Sequence, residues 1–309
     1  MRDISIDIAK GVSIIAIVIG HIGFLWPQCS LLNTKDLFTY LWHVPVFFIL
    51  AGFFLKDEHL VKPVAFFKKK FFSLYLKILY FYIPAVLFHN IFISWGWYDT
   101  NSVARYSGFD FFKQSIFSAM LAGREPILGA MWFVYVLFIA LIGLSIISFV
   151  VNKFIKNDKD FQWIRFIVLL FFCIISGIAS NKYGFTIKRF SNVFTAMFLI
   201  YIGKFLFQIA RIDFKNGYLC FVCIVIIFEV ACMLGGVSLN NNMYKDLLQP
   251  TIAGVAALYV ILFIGKHIVN FSFGKYLAYL GRNSFYIMAL HFVGFKLCSL
   301  LLIYLMGGG

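Results

Sequence analysis

The sequence is poor in charge: Asp, Glu, Lys and Arg together make up 13% of its 309 residues, and 13 acidic residues face 27 basic ones. So little charge beside 62% apolar residues excludes an ordinary soluble domain. Proline is scarce as well, with six in the chain, so most of the long apolar runs can continue as helix. The six cysteines sit mostly within apolar runs, and Cys220 with Cys223 lacks the second pair that a zinc site of this type would need. They read as core thiols, and no metal is expected. Also missing, in any context that would support them, are a Walker loop, a dinucleotide fingerprint, an HExxH helix and a GxSxG elbow. No polar stretch is long enough for a separate soluble domain, so residues 1–309 read as one integral-membrane domain.

What is present is a series of apolar stretches of bilayer-spanning length. The first, Ile6 to Trp26, is too long for a signal peptide and lacks a small-residue cleavage pattern. Others follow at about 37–55, 71–95, 128–151, 163–180, 190–207, 217–238, 248–269 and 284–306. A tenth is counted if 109–121 crosses, but FDFFKQSIFSAML is short and apolar on one face, which favours an interfacial or re-entrant helix. The predicted fold is an all-α polytopic transmembrane bundle of about 9–10 spans. With the N-terminus in the cytoplasm, the loops on that side collect about 17 of the 27 Lys and Arg residues. The net charge of +14 therefore belongs to orientation signals and contacts with membrane lipids, and nucleic acid is not an expected partner.

Polar residues inside the spans carry the functional signal. Span one holds Asp7, Lys10 and His21, and His21 follows Lys10 by eleven positions. On a helix the two lie within roughly 20° of one face and about 16 Å apart along the axis. Ionisable groups at membrane depth usually face the bundle interior and mark a substrate or proton path; the plainer alternative puts them in the headgroup zones. His43 comes out at the same depth as His21. Pro45 is expected to loosen its helix, and Gly52 to permit close helix contact. His89 reads as interfacial, like Trp26, Trp42 and Trp95. Glu229, within span seven, is expected to pair or to line a wet cavity. Near the C-terminus, Arg282 and Asn283 stand at a cytoplasmic helix start with His291 deeper, and in mid-chain Glu125 precedes Trp132 at the start of span four.

Five landmarks in order, DIAKGVSIIAIVIGH, LWHVPVFFILAGFFLK, the basic loop ending in KKK, MWFVYVLF and LGRNSFYIMALH, resemble the acyltransferase 3 family of membrane O-acyltransferases, most closely its fucose acetylase-like branch. The resemblance implies transfer of acetyl or another short acyl group from cytoplasmic acyl-CoA, acetyl-CoA being the donor expected, to a hydroxyl of a cell-surface or lipid-linked glycan at the inner (plasma) membrane. It matches Lys10 and His21 to a basic residue followed eleven positions later by histidine. Lys stands at a place where many relatives have Arg, which keeps the charge and loses the bidentate fork. Lys68, Lys69 and Lys70 approximate a basic pair expected to contact acyl-CoA. Acyl transfer needs a base and oxyanion donors. His21 is the expected base, assisted by His43, with Asp7 and Lys10 organising the inner end of the path. Glu125, Trp132, Asn283 and His291 are further candidates for the acyl-CoA or substrate path. A covalent acyl intermediate stays open, as does self-association. The rival readings are a transporter or flippase for a lipid-linked glycan, whose midplane polar residues would look similar, and a sensor or scaffold without chemistry.

The orientation can be tested directly. A cysteine introduced near Lys69 is expected to react with an impermeant thiol reagent only from the cytoplasmic side, and one near Asn101 only from outside; the reverse labelling inverts the topology.

Overall fold

The computed structural model describes residues 3–22, 40–117, 125–187 and 190–305. The chain runs through α1 (Ile4–Ile22), α2 (His43–Gly52), a single turn α3 (Asp57–Leu60) and α4 (Pro63–Lys70). A π-helical turn at Phe71–Tyr75 carries α4 into α5 (Leu76–Leu87), followed by α6 (His89–Ser94) and α7 (Gly108–Phe117). A 3-10 turn at Pro126–Met131 leads into α8 (Trp132–Phe154). After it come α9 (Asp158–Asn181), α10 (Ser191–Lys204) with a π-helical end at Phe205–Ile209, α11 (Gly217–Leu234), α12 (Gln249–Ile268), α13 (Ser272–Arg282) and α14 (Ser284–Leu305). The ends follow local chemistry. Asn157 caps α9 by accepting from the amides of Lys159 and Asp160, and Asn216 caps α11 by accepting from that of Leu219. Prolines open α4, the 126–131 turn and α12, where the missing N–H would have had no helical partner.

Among the described residues, eight helices are long and apolar enough to cross a membrane. The expected span at 37–55 differs: its described helix is the ten-residue α2, and its predicted start lies outside the described residues. Pro45 falls in the first turn of α2, where a missing N–H costs no helical bond, so it sets the start of the helix and does not loosen its middle. The 109–121 stretch forms α7, with Phe109, Phe112 and Ile116 turned outward, and its last four residues lie outside the described set.

Glycines bring backbones together at two crossings. Gly11 of α1 lies against the Leu277 carbonyl of α13 and Gly281 of α13 against that of Asp7; Gly52 of α2 lies against Ile200 of α10 and Gly203 of α10 against Ile49. A Cβ at any of these would meet main chain, which cannot swing aside as a side chain can.

Away from the histidines, the end of the bundle that holds Lys10 is tied by a buried ionic cluster. Asp57 accepts from Arg165 Nη1 at 2.7 Å and pairs with Lys204 Nζ at 3.0 Å, while Gln162 Nε2 donates to it at 2.8 Å. The fully buried Arg165 also donates to Ser148 and Gln162 and stacks between the rings of Phe161 and Tyr201. Burial alone would raise the Asp57 carboxyl, but the Arg165 and Lys204 cations overcome it and hold it below its ordinary value.

Removing one partner from such a cluster strands a buried charge, so Asp57→Asn is expected to cost about 3 kcal/mol. It should lower the melting temperature in detergent by several degrees, while Glu58→Gln, at an exposed pair, should not. Because the folded-state pKa of Asp57 is lowered, its contribution is present above the unfolded value and lost as pH falls through the folded one. Melting temperature of the wild type should therefore drop below about pH 4, and that of Asp57→Asn should drop less.

Candidate active site

The face of α1 that carries Lys10 and His21 is lined along its length by two cavities. The first, about 270 Å³, is bounded by His21, His43, Trp132 and Met288 and closed on its far side by residues 237–241. The second, about 260 Å³, lies toward the other end of α1, with Lys10 and Arg282 at its rim and Phe47, Leu50 and Leu137 on its walls. Phe133 and Met288 line both, so they form a shared wall between the histidine cavity and the basic one. Phe133 is held by Phe48, with ring centroids 4.6 Å apart.

His21 does not stand alone. Its Nδ1 lies 3.0 Å from Nε2 of His291, and the rings stack with 22° between planes. His291 Nδ1 lies 3.1 Å from the Ile287 carbonyl and 3.0 Å from that of Met288. A carbonyl only accepts, so Nδ1 of His291 carries the proton, and in the neutral ring its Nε2 is the acceptor. His21 Nδ1 must then donate, which leaves the lone pair of His21 on Nε2. This is the arrangement of a base oriented by a second group. Tyr40 links the remaining parts: its hydroxyl donates to the Gly20 carbonyl at 3.2 Å, and its ring meets that of His43 edge-on at 5.4 Å.

The structure thus brings His21, His43, Trp132 and His291 together and places Lys10 at the neighbouring cavity. Asp7 is buried where α1 meets α13 and lines neither space. Lys68 and Lys69 are exposed on α4 and Lys70 rests over the Phe66 ring; none of the three lines the basic cavity. Asn283 caps the end of α13, its amide donating to the Tyr279 carbonyl. Arg282 next to it lines the cavity, a role its position at a helix start did not single out.

Glu125 also lies apart. It is fully buried, 2.9 Å from His89 Nδ1, and accepts from the Tyr98 hydroxyl at 2.6 Å; His89 Nε2 lies 3.1 Å from the Ala104 carbonyl, and its ring stacks on Tyr106 at 3.7 Å. His89, read from the sequence as an interfacial residue, is a buried partner of Glu125. Its carboxylate partner arrives from a loop 36 residues away in sequence, which is why the local sequence did not show it. Burial raises the Glu125 carboxyl, against the hydrogen bonds from Tyr98 and His89, and raises the Tyr98 phenol too. The cluster anchors the 126–131 turn, whose Gly129 faces Phe292 and whose Ala130 lines the histidine cavity. Glu229, expected to pair or to face a wet cavity, is exposed on the outer side of α11, and Cys232 and Cys298 are exposed where core thiols were expected.

Among the described residues, eight long apolar helices define a multi-pass membrane protein with a histidine-lined cavity. A family model described as an acyltransferase domain matches residues 3–307, nearly the whole chain, and the protein belongs to that acyltransferase family. No curated protein and no solved structure gives a significant match.

The tautomers are a testable consequence of this geometry. Nitrogen-15 spectra of the histidine-labelled protein at neutral pH are expected to show His291 and His21 both protonated at Nδ1, and His291→Ala should allow the His21 ring to populate the other tautomer.

Proposed function

We propose that this protein is a membrane O-acetyltransferase, moving an acetyl or other short acyl group from cytoplasmic acyl-CoA to a sugar hydroxyl of a cell-surface or lipid-linked polysaccharide at the inner (plasma) membrane. The observation that carries this reading is the pair of cavities in series, one rimmed by two cations and the other lined by an oriented histidine, with a wall of two side chains between them.

The basic cavity suits the donor. Lys10 and Arg282 offer cations to phosphates, Arg282 as a fork and Lys10 as a point charge. The apolar walls suit the thin pantetheine arm, whose length is roughly that of the eleven-residue rise from Lys10 to His21, about 16 Å. Acetyl-CoA would then keep its charged half on the cytoplasmic side and present its thioester near Met288. In the transfer, His21 Nε2 takes the proton of the acceptor hydroxyl as the oxygen bonds to the thioester carbonyl carbon. His291 Nε2, accepting from His21 Nδ1, stabilises the imidazolium that forms. Trp132 lines the same cavity. Collapse of the tetrahedral intermediate breaks the C–S bond, the proton on His21 goes to the departing sulfur, and coenzyme A leaves as the thiol beside the O-acyl sugar.

The deciding measurement is incorporation of radiolabel from acetyl-CoA into glycan by membranes carrying the protein; a transporter would move glycan without it. His21→Ala should reduce transfer by about 10² to 10⁴ at normal expression, as expected for loss of a general base. His291→Ala, which removes the orienting group, should fall between that and wild type. Lys10→Met and Arg282→Gln should raise KM for acetyl-CoA with little change in kcat, the signature of lost uniform binding. Neutralising Lys68, Lys69 and Lys70 together should move KM less. Wild-type turnover by a well-expressed His21→Ala protein would remove His21 from the chemistry.

A further inference from the structure

The segment joining α11 to α12 folds inward and closes the histidine cavity at the His21 end. Ser238 and Met243 exchange two backbone hydrogen bonds, of 2.9 and 3.0 Å, around a turn at Leu239–Asn241. Asn242 follows in the left-handed region, φ 54°, and is fully buried. Its amide nitrogen donates to Ser180 Oγ at 3.0 Å and Ser176 Oγ at 3.2 Å, and its side-chain oxygen accepts from Thr195 at 2.9 Å. Asn181 accepts from the Tyr244 amide at 2.7 Å, Gln249 donates to the Gly235 carbonyl at 2.8 Å, and the Val237 amide donates to the Tyr40 carbonyl at 3.1 Å. An exposed connection would need none of these anchors. Their number holds the loop in one conformation, as a binding element requires.

The loop has two lined sides. Residues 237–241 face the histidine cavity, while residues 235–238 and 243–245, with Tyr40 and Asn181, line an open groove of about 530 Å³. The two spaces share Tyr40, Val237 and Ser238, which stand as the partition between the groove and the histidine cavity. Among the described lining residues of both spaces there is no carboxylate, and Lys245 is the one Lys or Arg. Apart from Lys245, Trp132 and the two histidines, the polar side chains are amides and hydroxyls: Asn181, Asn240, Asn241, Ser238, Tyr40 and Tyr244. Amides offer donor and acceptor together, which matches hydroxyl groups, whereas an anionic ligand calls for several cations and an acyl chain for an apolar lining.

We propose that the 235–245 loop is the acceptor-recognition element, its amides holding a neutral polyhydroxylated sugar at the histidine cavity with one hydroxyl toward His21. This rests on the acyl-transfer reading and adds to it the site and charge class of the acceptor.

The test uses the full-length protein in lipid nanodiscs, labelled acetyl-CoA, and the methyl glycosides of fucose, glucose, galactose and N-acetylglucosamine as soluble acceptors. Wild type is expected to acetylate at least one. Asn240→Ala and Asn241→Ala, at exposed side chains that line the histidine cavity, should each raise KM for that glycoside about fivefold, the scale of one lost hydrogen bond. KM for acetyl-CoA should stay unchanged. If an alanine variant melts lower than wild type, the isosteric Asn→Asp, which removes the N–H donor and keeps the shape, should give the same rise. Unchanged glycoside KM in these variants overturns the loop assignment and leaves acyl transfer standing. A rise confined to Lys245→Met overturns the neutral acceptor. Wild-type protein that binds acetyl-CoA and acetylates none of the glycosides overturns the sugar assignment, and failure to bind acetyl-CoA at all overturns the acyl-transfer reading beneath it.

Discussion

One carboxylate fixes the Lys10 end of the bundle. Asp57, just beyond α2, is gripped by Arg165 of α9 and Lys204 of α10, so three elements distant in sequence meet at a single charge. A buried ion pair of this kind gives little net stability over an apolar replacement, but it tolerates no change of register, because any shift leaves a cation without its partner. Gly52 and Gly203 set the same α2–α10 contact at backbone distance. A helix of ten residues is thereby fixed at one end by charge and close backbone contact, and the residue at its opposite end is His43.

The apolar helices and the shared face of Lys10 and His21 were legible in the sequence because each depends on spacing within one segment. Counting residues inward from span ends put His21 and His43 at one depth, and the structure brings both to the lining of one cavity, with His43 at the first residue of α2. What could not be read has a common character. Arg282 reaches the basic cavity only because the α13–α14 junction brings it to α1. Glu125 and His89 find each other through the folding of a loop. Asn242 looks like any turn residue until its three buried side-chain partners are known. Each of these depends on tertiary contact between segments with no local pattern linking them. Pro45 was misread for a related reason: its effect depends on where the helix begins, and the start of α2 is set by the fold around it.

The polar groups of the interior divide into two kinds. In the Asp57 and Glu125 clusters the donors and acceptors are mostly answered by other protein groups, and these clusters tie elements together. His21, Lys10 and the amides of the 237–241 segment, besides their protein contacts, border open volume. The polar residues that build the bundle thus bond mostly to one another, whereas these groups also meet open volume.

The wall shared by the two cavities is only as thick as Phe133 and Met288. Methionine has three rotatable side-chain bonds and no branch, so it can vacate a small volume by torsion alone. A group as small as acetyl could pass such a partition without any helix tilting, in contrast to carriers that rock one half of the molecule against the other. The acetyl group is also uncharged. Its passage would do no electrical work against the membrane potential, which exacts about 2.3 kcal/mol per elementary charge for each 100 mV, and the proposed reaction would run equally well on energised and de-energised membranes.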